Sequence, residues 1–343
     1  MRRVLSFFLT FCLGFFSVAR PAFAREIIVD LGTMASEGSP WHEILLDMRE
    51  EWKRISDGRV RLRIYPGGVQ GDEVEMLRKV RIGQLEAVAL SSAGLSHIDK
   101  SVASFQIPMM LDTYAELDYV LEHLTPRVEE RLLEKGFVVL NWGDVGWVRF
   151  FTKEPAETPD DIRPMKLFTT AGDPETEQLY KEFGFHPIPL AATDVLPSLQ
   201  TGLIDAFDVP PLFALLEQSF ALANHMIDIR WAPLVGATVV RQRAWEKIPE
   251  EWRGPMLEAA RQAGAARREE IRRMDREAID EMAKRGLNVV ELDDETRALW
   301  REEAEKAYPR LRGNLIPEDL FDEVKRLRDR FRKEQVVAET TNP

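Results

Sequence analysis

The sequence predicts an α/β fold in two domains, on three observations. Strand-like and helix-like patterns alternate in β-α-β-α-β order from Arg25 to Leu90, the pattern of parallel strands with crossover helices. The length, 343 residues, suits two domains that each bury a core. A helical pattern from Glu250 to Arg285 would span on the order of 50 Å at 1.5 Å per residue, longer than one average domain.

The elements follow in order. Arg25–Leu31 reads as a strand. Pro40–Ile55 reads as an amphipathic helix, with Trp41, Ile44, Leu45, Met48 and Trp52 on one face. Val60–Tyr65 alternates apolar and basic residues, the period of a half-buried strand. After the Pro66-Gly67-Gly68 turn come a helix over Asp72–Ile82 and a strand over Leu85–Leu90. Thr113–Lys135 is helical with Gly136 at its end. Phe137–Asn141 and Val148–Phe151 are strands, and Thr158-Pro159-Asp160-Asp161 opens a helix. Met165–Thr169, Pro187–Leu190 and Ala206–Val209 are strands separated by helices at Asp173–Phe183 and Val195–Gln200. Thr238–Arg241 and Asn288–Leu292 are further strands. Asp293–Tyr308 and Pro317–Phe331 are helices, and Glu334–Pro343 is a polar tail expected to fray.

Residues 1–24 read as an address. Arg2 and Arg3 precede an apolar stretch, Val4 to Val18, and a small-x-small site at Ala22-Phe23-Ala24. This is the pattern of a secretory signal peptide, with cleavage expected after Ala24. The stretch is short for a membrane span, which needs about 20 residues. Cys12 sits mid-stretch after Phe11, which argues against a lipoprotein. The mature chain is expected in a periplasm.

Charge and cysteine exclude several classes. The balance of 46 basic against 58 acidic residues argues against nucleic-acid binding, which needs a basic face. One Cys forbids an internal disulfide or a Cys-based zinc cluster. Cleavage removes Arg2, Arg3, Arg20 and Cys12 and no acid, leaving 43 basic residues against 58 and no thiol. No GxSxG, HExxH, GxxxxGK[ST] or GxGxxG occurs. His42, His97, His123, His186 and His225 are too far apart for helical zinc spacing. Glu73 and Glu75 point to different helix faces. No catalytic residue, metal site or cofactor is therefore assigned.

Three segments carry a resemblance: GGVQGDEVEMLRKVRIGQLEAVALSSAGL (Gly67–Leu95), FFTKEPAETPDDIRPMKL (Phe150–Leu167) and GFHPIPLAATDVLPSLQTGLIDAFDVPP (Gly184–Pro211). Their order and spacing resemble the DctP-type substrate-binding proteins of TRAP (tripartite ATP-independent periplasmic) transporters, over nearly all of Glu26–Phe331. The resemblance implies a two-domain periplasmic-binding-protein-like fold, with a ligand cleft between the domains and a long helix spanning both. It implies domain I from 25–145 plus 232–272, domain II from 146–231 plus 273–332, and a disordered tail over 333–343. It implies capture of a small organic ligand by hinge closure and delivery to membrane permease subunits. A homodimer through the long helix and a helical-repeat lipoprotein are the further partners it suggests.

The chain departs from the family pattern where the ligand carboxylate is gripped. Phe168 stands at the position of the family's Arg, and Val209 at that of an Asn. Neither can replace a bidentate guanidinium, and a carboxylate buried against them would lack a partner. Arg149 matches a second ligand-facing Arg only with a one-residue gap. The candidate ligand-binding residues are therefore Phe168 and Val209 as apolar walls, Arg149 as an acid anchor, Phe207 and Trp147 as stacking surfaces, and Ser91 and Ser92 at a strand end. Trp142 reads as core. The expected ligand is an organic acid or amphipathic molecule more hydrophobic than the usual carboxylate. Two other classes stay open: an exported enzyme, favoured by convergent ionisable residues in the cleft, and a protein-interaction module, favoured by a large exposed apolar patch.

Overall fold

A computed structural model describes residues 26–341; the expected signal peptide and its expected cleavage site lie outside them. The elements begin β1 (Ile27–Thr33), α1 (Pro40–Ile55), β2 (Val60–Tyr65), α2 (Glu73–Ile82), β3 (Ala87–Ser91), α3 (Ser92–Ser96) and α4 (Tyr114–Glu134). Next come β4 (Phe137–Trp147), β5 (Arg149–Thr152), α5 (Pro159–Ile162), β6 (Lys166–Thr170), α6 (Pro174–Glu182), β7 (His186–Leu190), α7 (Val195–Thr201), β8 (Ala206–Val209) and α8 (Pro211–Leu216). The chain ends with β9 (His225–Ile227), β10 (Pro233–Arg241), α9 (Gln242–Trp245), α10 (Glu250–Ala266), α11 (Arg268–Lys284), β11 (Asn288–Val290), α12 (Asp294–Leu311) and α13 (Glu318–Thr341).

Two sheets organise these elements. The first has order β2-β1-β3-β10-β4, and the second β11-β9-β5-β8-β6-β7. In the first, β1 runs parallel to β2 and β3, while β10 is antiparallel to β3 and β4. In the second, β6 is parallel to β7 and β8, and β5 is antiparallel to β8 and β9. Helix starts are set by side chains that take orphan amide protons. Asp72 accepts from Glu75 N at 2.8 Å and Thr113 from Glu116 N at 3.1 Å. Asp173 accepts from Thr176 N at 3.0 Å.

Apolar faces decide the packing. One face of the first sheet meets α2, α4 and α13 through Leu77, Val88, Leu124 and Leu327; the other meets α1 and α10 through Leu31, Met48, Trp52 and Met256. Trp52 is fully buried and its indole N–H donates to Met256 O at 3.0 Å. Burying such a ring contributes about 3 kcal/mol. Gly264 lets α10 lie against β4, since a Cβ there would sit 2.8 Å from Trp142 O.

Four expectations change. The helix expected over Glu250–Arg285 is two 17-residue helices, interrupted at Arg267 with φ −101° and ψ 0°. The strand expected to stop at Asn141 continues to Trp147, because β10 pairs with it as far as Pro233↔Trp147. Residues 318–332 pack on the first sheet's side rather than with domain II, because Leu320, Val324 and Leu327 share a core with Val120, Leu124 and Val128 of α4. Residues 333–341 continue α13 instead of fraying, and Arg332 anchors the helix on Glu116 at 2.6 Å and Asp112 at 2.8 Å.

Candidate ligand-binding cleft

Four connections join the two halves. The chain crosses from β4 to β5 at Trp147–Arg149, returns from β9 to β10, crosses again between α10 and α11, and returns between α12 and α13. Gly146, at φ +132°, allows the first crossing, since a Cβ there would sit 2.8 Å from both Asp275 Oδ1 and Pro210 Cβ. Helix α11 ties the crossing down. Arg272 pairs with Asp144 of β4, bonds Asp118 of α4 at 2.5 Å, and lies 4.2 Å over the Tyr114 ring. Asp275 accepts the Leu212 N–H at 3.1 Å, and burial pushes its carboxyl up to about 6.

Between the halves lies a cavity of about 750 Å³. The first half contributes Thr33, Ser91, Asn141, Val145 and Thr238, and the second Phe168, Thr169, Asp173, Tyr180, Asp208 and Phe213. The lining is mainly apolar, with Trp41, Phe185 and Trp231 among its aromatic rings. Across the mouth the walls touch: Lys100 Nζ meets Glu175 Oε2 at 2.5 Å, and Ser36 Oγ donates to Glu217 Oε1 at 3.0 Å. Among the described residues lining the cavity there is no arginine, and Lys100 is the one lysine.

The cavity's carboxylates differ in their partners. Glu73 accepts the Ser91 N–H at 2.5 Å and the Ser91 hydroxyl at 2.7 Å, and burial still raises its pKa. Asp144 pairs with Arg272, and burial holds its pKa above the usual range. Asp208 accepts only its own amide proton, and burial pushes it up to about 7. Among the described residues no group of three or more His, Cys, Asp or Glu could hold a metal ion.

The candidate residues divide. Phe168, Val209 and Ser91 line the cavity. Arg149 does not: it lies in a separate pocket with Asp112, Asp228, Arg230, Arg297 and Arg301, paired with Asp228 at 3.0 Å. The reason is that successive residues of extended backbone point to opposite sides where β4 passes into β5. Val148, one residue earlier, lines the cleft. Trp147 is buried edge-on to Tyr114 at 5.8 Å, and Phe207 is stacked on Phe151 at 5.1 Å; neither lines the cleft. Ser92 is buried with its hydroxyl unpartnered, also away from the cavity lining. Trp142 packs edge-on to Phe105 at 5.4 Å, as expected of core. Sequence reasoning missed Asp208, Thr169, Tyr180 and Trp231 as lining. Asp208 adjoins Val209 and could have been found by asking which acid on that strand has no basic neighbour.

Comparison with known proteins agrees with this architecture. The family model for bacterial extracellular solute-binding proteins, family 7 (DctP), matches residues 31–313. The C4-dicarboxylate-binding periplasmic protein DctP of Rhodobacter capsulatus is 23% identical over 289 residues, covering 82% of this chain and 85% of that one. A TRAP periplasmic solute-binding protein from Sulfurospirillum deleyianum, with bound succinate, superposes with a TM-score of 0.80 at 20% identity. That match covers 88% of this chain and 99% of the other. The sugar acid binding protein DctPAm of Advenella mimigardefordensis, in complex with galactonate, gives a TM-score of 0.83 at 18% identity, over 89% and 99% of the two chains. With the family model matched over most of its length, on two sheets enclosing a cleft, this chain belongs to the DctP family of TRAP-transporter solute-binding proteins.

Proposed function

We propose that this protein captures a small organic ligand with a hydrophobic body, closes on it by hinge motion, and hands it to TRAP permease subunits. The observation that carries the ligand class is the arginine-free cleft wall: Phe168, packed in the second half's core, and Val148 border the cavity, while Arg149 lies in a separate pocket. Relatives are named for C4-dicarboxylates or hold succinate and galactonate. A dicarboxylate in this cavity would meet Glu73, Asp144 and Asp208, with no guanidinium to offset its desolvation. An apolar body instead gains from every ring it covers, at about 25 cal/mol per Å². Hinge closure is supported by the four crossings and by the wall contacts at the mouth. Those contacts form only when the walls meet, so a ligand touching both halves favours the closed state.

The location follows the same reading. Export through cleavage after Ala24 places the mature chain in the periplasm, where a permease can receive the ligand. Among the described residues no helix is long and apolar enough to cross a membrane. A homodimer and a helical-repeat lipoprotein remain proposals from the family resemblance.

Titration calorimetry tests the ligand class. Succinate is expected to bind the wild type more weakly than ~1 mM. Phe168→Arg is expected to tighten succinate binding about tenfold or more, because it restores a bidentate partner. Micromolar succinate binding by the wild type overturns the reading.

A further inference from the structure

Apart from Lys100, the charge lining the cleft is acidic, and nearly all of it is already engaged. Glu175 meets Lys100, Glu303 meets Arg163 at 2.5 Å, and Asp144 meets Arg272. Asp72 and Asp173 cap helices, and Glu73 is held by Ser91. Asp208 remains. Among the described residues it makes no ion pair and takes no hydrogen bond from another residue. Asp208 is half-buried at the cavity wall. A charge partly withdrawn from water without a partner is costly, so this position is suited to a group brought from outside.

A second polar group points to the same place. Thr169 lines the cavity, yet its hydroxyl is buried without a hydrogen-bond partner. It sits on β6 beside β8, where Leu167 pairs with Ala206. Period-two alternation therefore puts Thr169 and Asp208, each two residues further on, on one face of neighbouring strands. Aromatic rings surround this face. Burial, and after it the Asp208 charge, raises the pKa of the Tyr180 phenol. Tyr180 lies edge-on to Phe185 at 5.7 Å, and Trp231 lies 5.5 Å from Phe150, which pairs with Asp208 across the strands.

A carboxylate with no cation, an orphan hydroxyl and aromatic walls form a site for positive charge. Aromatic faces attract cations by their quadrupole, more strongly when water is excluded. The carboxylate adds a charge-assisted hydrogen bond to an N–H donor.

We propose that the cleft takes an organic cation: an amine with an apolar body, its ammonium seated on Asp208 and Thr169 and its carbon body against the aromatic wall. This rests on the apolar-cleft reading and adds the sign of the ligand's charge. It sets this chain apart from relatives that hold acids, because the same cavity would repel a second carboxylate.

Three probes with one body separate the outcomes: 2-phenylethylamine, 2-phenylethanol and 3-phenylpropanoate, titrated by calorimetry at pH 8 into the mature protein. The amine is expected to bind at least ~10-fold tighter than the alcohol, and the alcohol tighter than the acid. Asp208→Asn is expected to bring the amine down to the level of the alcohol while leaving the alcohol unchanged, which also shows that the variant is folded. Thr169→Val is expected to cost the amine about three- to tenfold. An acid that binds tightest, or an amine no better than the alcohol, overturns the proposal and leaves the apolar reading standing. If none of the three binds, the apolar reading fails and this inference falls with it.

Discussion

On the cleft side of the Trp147–Arg149 crossing, Val148 faces a cavity lined by rings and carboxylates without arginine. On the other side, Arg149 joins Arg230, Arg297 and Arg301 around Asp112 and Asp228, in a pocket of about 340 Å³. The two cavities flank one crossing and differ in chemistry because Val148, which links β4 to β5, borders one and the next residue, Arg149, borders the other. The chain keeps its guanidinium groups, but on the outer side of the crossing, where carbonyls and aspartates already occupy them. Arg301 donates to Met109 O at 3.0 Å and to Asp112 Oδ1 at 2.9 Å, and Arg297 to Asp228 O at 3.2 Å. A family resemblance that needs a gap of one residue is harmless on a loop. On a strand it moves a charge from the ligand to the far face.

The largest expected effect that tests this contrast comes from Arg149→Met. Its guanidinium is buried, paired with Asp228 at 3.0 Å and bonded to Trp147 O at 3.3 Å. Removing it leaves those acceptors short of a donor and should cost about 1–3 kcal/mol of stability. Asp228 keeps three other arginines in its pocket, so the loss should stay at the low end. Thermal melting reads the stability. Calorimetry with 2-phenylethylamine should show a change of less than ~3-fold, since the residue faces away from the cleft; a tenfold loss would break the comparison.

A smaller effect follows from pH. Burial raises Asp208 to about 7 and Asp275 to about 6, against an unfolded value of about 3.9. The native state therefore holds these protons more firmly than the unfolded chain does. The stability they give is fully present below about pH 4 and is lost as pH rises through 6 and 7. Melting of the ligand-free protein should fall by a few degrees between pH 5 and 8 from this source. Asp208→Asn should flatten that slope and melt above the wild type at pH 8. An unchanged slope would mean that Asp208 is better solvated than its position implies, and would weaken its contrast with the paired acids.

The parts legible in the sequence share a physical signature: they are local. Pro40–Ile55, Val60–Tyr65 and Ala206–Val209 fall where periodicity places them, and Asp72, Thr113 and Thr158 mark helix starts because capping involves residues within four positions. Phe168 and Val209, which line the cavity, were reached through a gapless motif, and Ser91 through its place at the end of a strand. The rest depends on partners distant in the chain. Trp147 is drawn into the first core by Tyr114, and Phe207 into the second by Phe151, and no local pattern distinguishes a ring that packs from a ring that stacks on a ligand. No Pro or Gly stands at the break at Arg267 itself; the nearest, Gly264, lies inside α10. It falls where Arg267 reaches Asp47 of α1 at 2.9 Å, a contact 220 residues away in sequence. Tyr180 and Trp231 come to the cleft on separate elements whose meeting only the fold determines.

The smallest expected effect concerns the mouth, where the acidic cleft uses its lysine. Lys100 reaches Glu175 at 2.5 Å and Asn314 O at 3.1 Å, bridging the two walls, and about half of each charged side chain is exposed. Exposed pairs contribute little to stability, so Lys100→Met should leave melting nearly unchanged. The contact exists only when the walls meet, however, so its loss acts on opening. Dissociation of 2-phenylethylamine should speed up about two- to fivefold, with association unchanged, as for most interface changes that act on the bound state. In 1 M salt, where the screening length is about 3 Å, wild type and variant should converge. A variant that releases ligand at the wild-type rate at low salt would show that Lys100 is a bystander at the mouth. The cleft would then contain no working cation, and its contrast with the arginine pocket behind the crossing would be complete.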